Sequence, residues 1–128
     1  MINKTAQKII LKLIEIAEKN GGYIVIENEP YMKLSVEVSE DYYSMGVHRL
    51  ILAHTNEQNG DLMSDPMITF MIEEGYIKPI DFTNDYAGCY KTVESNGFEK
   101  DICSLVNLWM RNIKEQGFLD RKKEGQSV

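Results

Sequence analysis

Apolar positions along the chain follow a helical period at both ends and a strand period between them. Ala6, Ile9, Ile10, Leu13, Ile14 and Ala17 repeat at intervals of three and four residues, the spacing that lays one apolar stripe along a helix. Asn3 is placed to cap its first turn. Asn20-Gly21-Gly22 is placed to end it, because glycine takes the left-handed conformation of a helix C-cap without a Cβ penalty. The spacing therefore predicts a helix over about residues 4 to 19.

From Tyr23 the period falls to two. Tyr23 to Ile26 is short and β-branched, and Asn28-Glu29-Pro30 supplies turn chemistry. In the next run, Tyr31 to Val38, Met32, Leu34, Val36 and Val38 alternate with Lys33, Ser35 and Glu37, which predicts a strand with one buried and one wet face. Ser39 to Gly46 reads as a loop. Val47 to Glu57 sets Leu50, Leu52 and His54 on one face and Ile51, Ala53 and Thr55 on the other. A run apolar on both sides belongs in the middle of a sheet.

Asn59-Gly60 is a strong two-residue hairpin signal, since both central residues of a type I′ turn need positive φ. If that register holds, His54 lies opposite Asp65. Pro66 cannot donate to a strand ladder, so regular return pairing is expected only across Met67 to Ile72. Glu73-Glu74-Gly75 reads as a turn, Tyr76 to Phe82 as a strand that Pro79 demotes toward an edge, Asn84 to Gly88 as a further turn, and Cys89 to Glu94 as a last strand. Five or six strands joined by connections too short for crossovers make an antiparallel meander.

Asn96-Gly97-Phe98-Glu99 has the spacing of a capping box, with an amide in place of the usual hydroxyl. It opens a second helix whose stripe is Ile102, Leu105, Val106, Trp109, Met110 and Ile113 and whose stop is Gly117. Residues 121 to 128 form a polar tail. The expected architecture is a single α+β domain over residues 1 to 120: an N-terminal helix, a mainly antiparallel sheet of five to six strands, and a C-terminal helix, with both helices on one sheet face.

Composition narrows the class of function. The 128 residues carry a net charge of −6, and the charge is uneven. From Tyr23 to Gly97 there are thirteen acidic residues against four basic ones, Lys33, Arg49, Lys78 and Lys91. Nucleic-acid binding rests on Lys and Arg neutralising phosphates, so an acidic middle argues against direct nucleic-acid contact and favours cations or a basic protein. Cys89 and Cys103 are too few for a disulfide scaffold and lack metal spacing, which points to a reducing, cytoplasmic setting. Lysines at 4, 8 and 12 interrupt the first apolar run, unlike a signal peptide. No stretch approaches the length of a membrane span.

Candidate chemistry concentrates between His54 and Pro66, where one imidazole, three carboxylates and several amides or hydroxyls separate two apolar runs. One reading is a solvated hairpin end. A second makes His54 a general base oriented by Asp65 or Glu57. A third makes His54, Glu57, Asp61 and Asp65 ligands of a borderline metal. Aligning Asn59-Gly60 with positions five and six of a calcium loop leaves Pro66 where the bidentate carboxylate must stand, so the segment is not an EF-hand. The chain lacks the glycine-flanked serine, P-loop, dinucleotide and zinc-protease motifs. No cofactor is indicated, and a non-enzymatic reading leads.

Tyr42, Tyr43, Tyr76, Tyr86 and Tyr90 fall mostly in loops or at strand ends, and tyrosine gives contact area at small entropic cost. The segment Ala53 to Pro66, followed by Ile68-Thr69-Phe70 and later by Asn84-Asp85-Tyr86-Ala87-Gly88, resembles a family of uncharacterised domains found on bacterial plasmids, phages and integrative elements. The resemblance covers residues 23 to 94 and is specific across 53 to 70. It implies a bacterial, mobile-element setting and carries over no catalytic role. His54, Glu57, Asn59, Asp61, Asp65, Asp85 and Tyr86 are the candidate binding residues. The leading expectation is an accessory module that binds a protein partner, basic in character, through an acidic, tyrosine-bearing surface. The alternative is a metal sensor or metal-assisted hydrolase on His54, Glu57, Asp61 and Asp65.

Overall fold

A computed structural model describes residues 2–40, 47–58, 60–73, 76–84, 88–92 and 99–120; for residues 40, 47, 57, 58, 62, 65, 89–92 and 99 it describes the backbone. The first helix, α1, spans Lys4–Lys19. The Asn3 side chain accepts the Ala6 amide at 2.8 Å, as the capping rule requires. At the other end the Gly22 amide donates to the Ala17 carbonyl at 2.7 Å and the Gly21 amide to Glu18 at 3.2 Å, the paired bonds of a Schellman stop. Its buried stripe is Ala6, Ile9, Ile10, Leu13, Ile16 and Ala17. Ile16 thus takes the buried place expected for Ile14, which packs at the margin of the core.

Six strands follow: β1 (Tyr23–Ile26), β2 (Lys33–Glu40), β3 (Val47–Gln58), β4 (Asp61–Glu73), β5 (Tyr76–Asn84) and β6 (Cys89–Thr92). They lie side by side in chain order, every neighbour antiparallel. The second helix, α2, covers Glu99–Glu115, and its expected capping box at Asn96 to Phe98 lies outside the described residues. Both helices cover one sheet face. Ile24, Ile26, Leu34, Val36, Leu50, Leu52, Ile68, Phe70, Ile72 and Ile77 from the sheet share a single core with the buried faces of α1 and α2. Asn3 joins the helices, its amide donating to the Asn107 side chain at 2.9 Å.

Several strand boundaries differ from expectation. β2 runs on through Ser39 and Glu40, because both pair with β3, where the sequence suggested a loop. Pro66 does not delay the return strand: β4 begins at Asp61. The β3–β4 register shifts between Ala53 and Thr55, so that His54 faces two residues, Asp65 and Pro66. A β-bulge of this kind leaves an unpaired position where a missing N–H costs nothing. Pro79 does not mark an edge either. It pairs with Phe70 beside a second register shift and is buried in β5, an interior strand between β4 and β6. Two bulges exempt both prolines from the ladder rule on which the edge expectation rested.

Candidate functional site

The segment singled out in the sequence is the far end of the β3–β4 hairpin. Pairing with β2 ends at Lys33–Thr55 and pairing with β5 ends at Thr83–Met67. β3 and β4 continue together from Thr55–Ser64 to Gln58–Asp61. This projecting two-strand arm closes at Gly60, whose φ is 85°, the positive value an Asn-Gly turn needs. The hairpin register expected from Asn59-Gly60 therefore operates along the arm and shifts at the His54 bulge.

His54 stands at the root of the arm and is half-buried. Its ring faces α2, with centroids 5.5 Å from Trp109 and 5.4 Å from Phe118, both tilted. Tyr31 extends the cluster, 6.2 Å from Phe118. Nδ1 of His54 lies 3.4 Å from the Lys33 carbonyl oxygen, at which distance an Nδ1–H donates only weakly. The imidazole is here part of an aromatic wall, worth about 0.5–1.5 kcal/mol per ring pair beyond the area it buries.

Asp61 is exposed at the tip of the arm. It pairs with Gln58, four residues along the strand from His54 and so about 13 Å away at strand spacing. That separation exceeds any shared coordination sphere. Among the described residues no three His, Cys, Asp or Glu side chains converge on a common point. Glu57 and Asp65 are placed as backbone, at Leu62 and at the bulge respectively. Asn59, Asp85 and Tyr86 lie outside the described residues, as do Tyr42 and Tyr43.

A cleft of about 300 Å³ opens where the arm leaves the sheet, lined by Glu27 to Lys33 on one side and Thr55 and Asn56 on the other. Glu27 and Glu29 are exposed on it, Tyr31 is 43% exposed, and Lys33 reaches Glu27 at 3.4 Å. The loop that forms this wall is held from behind. Asn28 is buried, and its side-chain amide donates to the Gln116 carbonyl at the end of α2 at 2.6 Å. Sequence reasoning missed Asn28, Tyr31 and Phe118. For Phe118 the signal was present: a hydrophobic residue directly after a C-cap glycine folds back on the last helical turn. Here Gly117 has φ 88°, and the Phe118 amide donates to Ile113 at 3.2 Å.

Fold and site together define a two-layer α+β domain, one antiparallel meander under two helices, with a hairpin arm and an acidic cleft at one corner. No helix among the described residues is long and apolar enough to cross a membrane. The chain belongs to the family described as "Domain of unknown function (DUF6908)", whose model matches residues 4–119. The match takes in both helices, and so extends well beyond the 23 to 94 span of the resemblance seen in the sequence. No curated protein and no solved structure matches the chain.

Proposed function

We infer that the protein is a non-enzymatic accessory module, carried by bacterial mobile elements, that captures a basic segment of a protein partner in the cleft beside the hairpin arm. One observation carries the reading: the exposed Glu27, Glu29 and Tyr31 share a wall of the 300 Å³ cleft, an acidic surface bearing a tyrosine other than those the sequence singled out. Lys33 offsets only one of those carboxylates. A lysine or arginine side chain entering there meets a carboxylate, a phenol able to receive a cation on its face, and the Asn56 position on the opposite wall. The mobile-element setting rests on the resemblance of residues 53 to 70, and the non-enzymatic reading on the missing nucleophile and cofactor motifs.

The test is binding of a fluorescent Lys- and Arg-rich peptide to the intact protein, by anisotropy at low and high salt. Binding that weakens with salt and is lost in the Glu27→Lys, Glu29→Lys double variant supports the reading. Equal binding by that variant, while Glu15→Lys on the exposed side of α1 also leaves binding unchanged, counts against the cleft. Failure of the wild type to bind at low salt counts against the basic partner.

A further inference from the structure

The sheet face opposite the helices is organised in rows. One row across the strands reads Ser39, Arg49, Met71, Lys78, and the next reads Tyr23, Glu37, Ile51, Thr69, Asp81. A third reads Val25, Ser35, Ala53, Met67, Thr83. Directly paired residues share a sheet face, so a basic row lies beside an acidic one, with apolar Met71 between Arg49 and Lys78 in the first and Ile51 beside Glu37 in the second. Ala53 is 2% exposed and Thr69 8%, sunk between the half-buried Ile51, Met67 and Met71. None of these residues belongs to the core shared with the helices.

Among the described residues, Arg49, Lys78, Glu37 and Asp81 form no ion pairs; the salt bridges are Lys12–Glu15, Lys19–Glu15 and Lys33–Glu27. Arg49, Lys78 and Glu37 are exposed and Asp81 half-buried. Three of the four basic residues of the middle of the chain, Lys33, Arg49 and Lys78, fall on this face by register. The acidic excess of residues 23 to 97 is therefore not shared by this face.

We propose that this face is the interface of a homodimer, in which two copies stack sheet on sheet with the basic row of each over the acidic row of the other. A two-fold axis in the plane of the face, running across the strands between those rows, produces that arrangement. It lays Lys78 over Asp81 of the second copy and brings Arg49 beside Glu37 of the second copy. Every contact then occurs twice, as an isologous interface demands. Met71 of each copy then lies over Thr69 of the other and Ile51 under Arg49, while the third row, with Ala53 and Met67, faces the row Val47, Glu73, Tyr76 of the second copy, at the roughly 10 Å separation of packed sheets. Area permits it. Five strands at about 4.8 Å and the four rows that then overlap at about 6.7 Å give a footprint near 24 by 27 Å. With side-chain relief, that approaches the ~800 Å² per partner of a stable interface.

The test is sedimentation equilibrium of the wild type and two charge reversals, Arg49→Glu with Lys78→Glu and Glu37→Lys with Asp81→Lys. The wild type is expected to dimerise. Each reversal is expected to weaken the homodimer about 100-fold or more, because like charges then face one another. An equimolar mixture of the two reversals is expected to form a heterodimer, since one face is then wholly acidic and the other wholly basic. Far-ultraviolet circular dichroism checks that each variant is folded. A wild type that stays monomeric across the concentration range overturns the proposal. So does a dimer that survives both reversals, or a mixture of folded variants that does not associate. Glu27→Lys with Glu29→Lys, in the cleft beyond the last of the three rows, is expected to leave dimerisation unchanged, which separates this interface from the cleft.

Discussion

The imidazole of His54 and the indole of Trp109 pack in tilted contact, ring centroids 5.5 Å apart, and so join the root of the hairpin arm to α2. Chemistry would need the imidazole presented to a ligand; packing needs its ring faces. His54→Phe keeps a planar ring between Trp109 and Phe118 and is expected to hold stability within about 1 kcal/mol, whereas His54→Ala is expected to lose roughly 1–2 kcal/mol. Urea unfolding followed by circular dichroism measures both. Equal destabilisation by the two variants would assign the loss to the ring nitrogens instead of the ring.

Trp109 carries a second consequence. It is 6% exposed, and its indole Nε1–H is buried without a hydrogen-bond partner among the described residues. An unmade bond of this kind costs about 1–3 kcal/mol. Trp109→Phe removes the orphan donor along with part of the ring, so the two changes offset, and a net effect within about 1.5 kcal/mol is expected. Trp109→Ala loses the whole ring and is expected to cost about 3–5 kcal/mol. Denaturant midpoints of the two variants decide it. A phenylalanine variant as damaged as the alanine one would mean that the indole N–H is satisfied in solution.

These two residues also show how far the sequence could be read. Periodicity placed Trp109 on the buried stripe of its helix and His54 on the same sheet face as Leu50 and Leu52, because side-chain direction follows directly from the backbone period. Both helices followed from the same rule, the antiparallel meander from connections too short for crossovers, and the central position of β3 from a run apolar on both sides. What periodicity could not supply was the company each residue keeps. The contact of His54 with Phe118 joins positions 64 residues apart, and the bond from Asn28 to Gln116 joins positions 88 apart; nothing local encodes either. The prolines misled for a related reason. Proline forbids a ladder bond, but whether a strand omits that bond at an edge or at a bulge is decided by its neighbours. The cleft, formed by a loop and an arm distant in sequence, was invisible for the same cause.

Asn28 is the clearest of those long-range ties. Buried, and donating to the Gln116 carbonyl at 2.6 Å, it caps the negative end of α2 from outside the helix. Asn28→Ala strands that carbonyl and is expected to cost about 1–3 kcal/mol. Asn28→Asp is nearly the same shape, yet it is expected to be worse. An ionised carboxylate cannot donate, and it sets a negative charge against the carbonyl end of the helix dipole. Thermal melts at neutral pH are expected to rank wild type above Asn28→Ala above Asn28→Asp. The reverse order of the two variants would show that the Asn28 amide does not act as a donor there.

Two glycines with similar backbone angles are expected to answer differently to alanine. Gly60, at the turn of the arm, has φ 85° and open space where a Cβ would go. Gly60→Ala therefore suffers only the left-handed penalty of about 1–2 kcal/mol, partly offset by a less flexible unfolded chain. Gly22, between α1 and β1, has φ 98°, and a Cβ there would come within 3.1 Å of the Val38 carbonyl oxygen. That atom cannot swing aside as a side chain would, because the Val38 amide is itself bonded to the Gly22 carbonyl at 2.7 Å. Relieving the clash means moving β2 away from the end of α1, so Gly22→Ala is expected to cost about 1–2 kcal/mol more than Gly60→Ala. Amide hydrogen exchange distinguishes the two routes. Gly22→Ala is expected to lower protection along β1 and β2 together, while Gly60→Ala lowers it only in the arm, from Asn56 to Ser64. Loss of protection confined to the turn in both variants would show that the junction of α1 with the sheet tolerates the added methyl group.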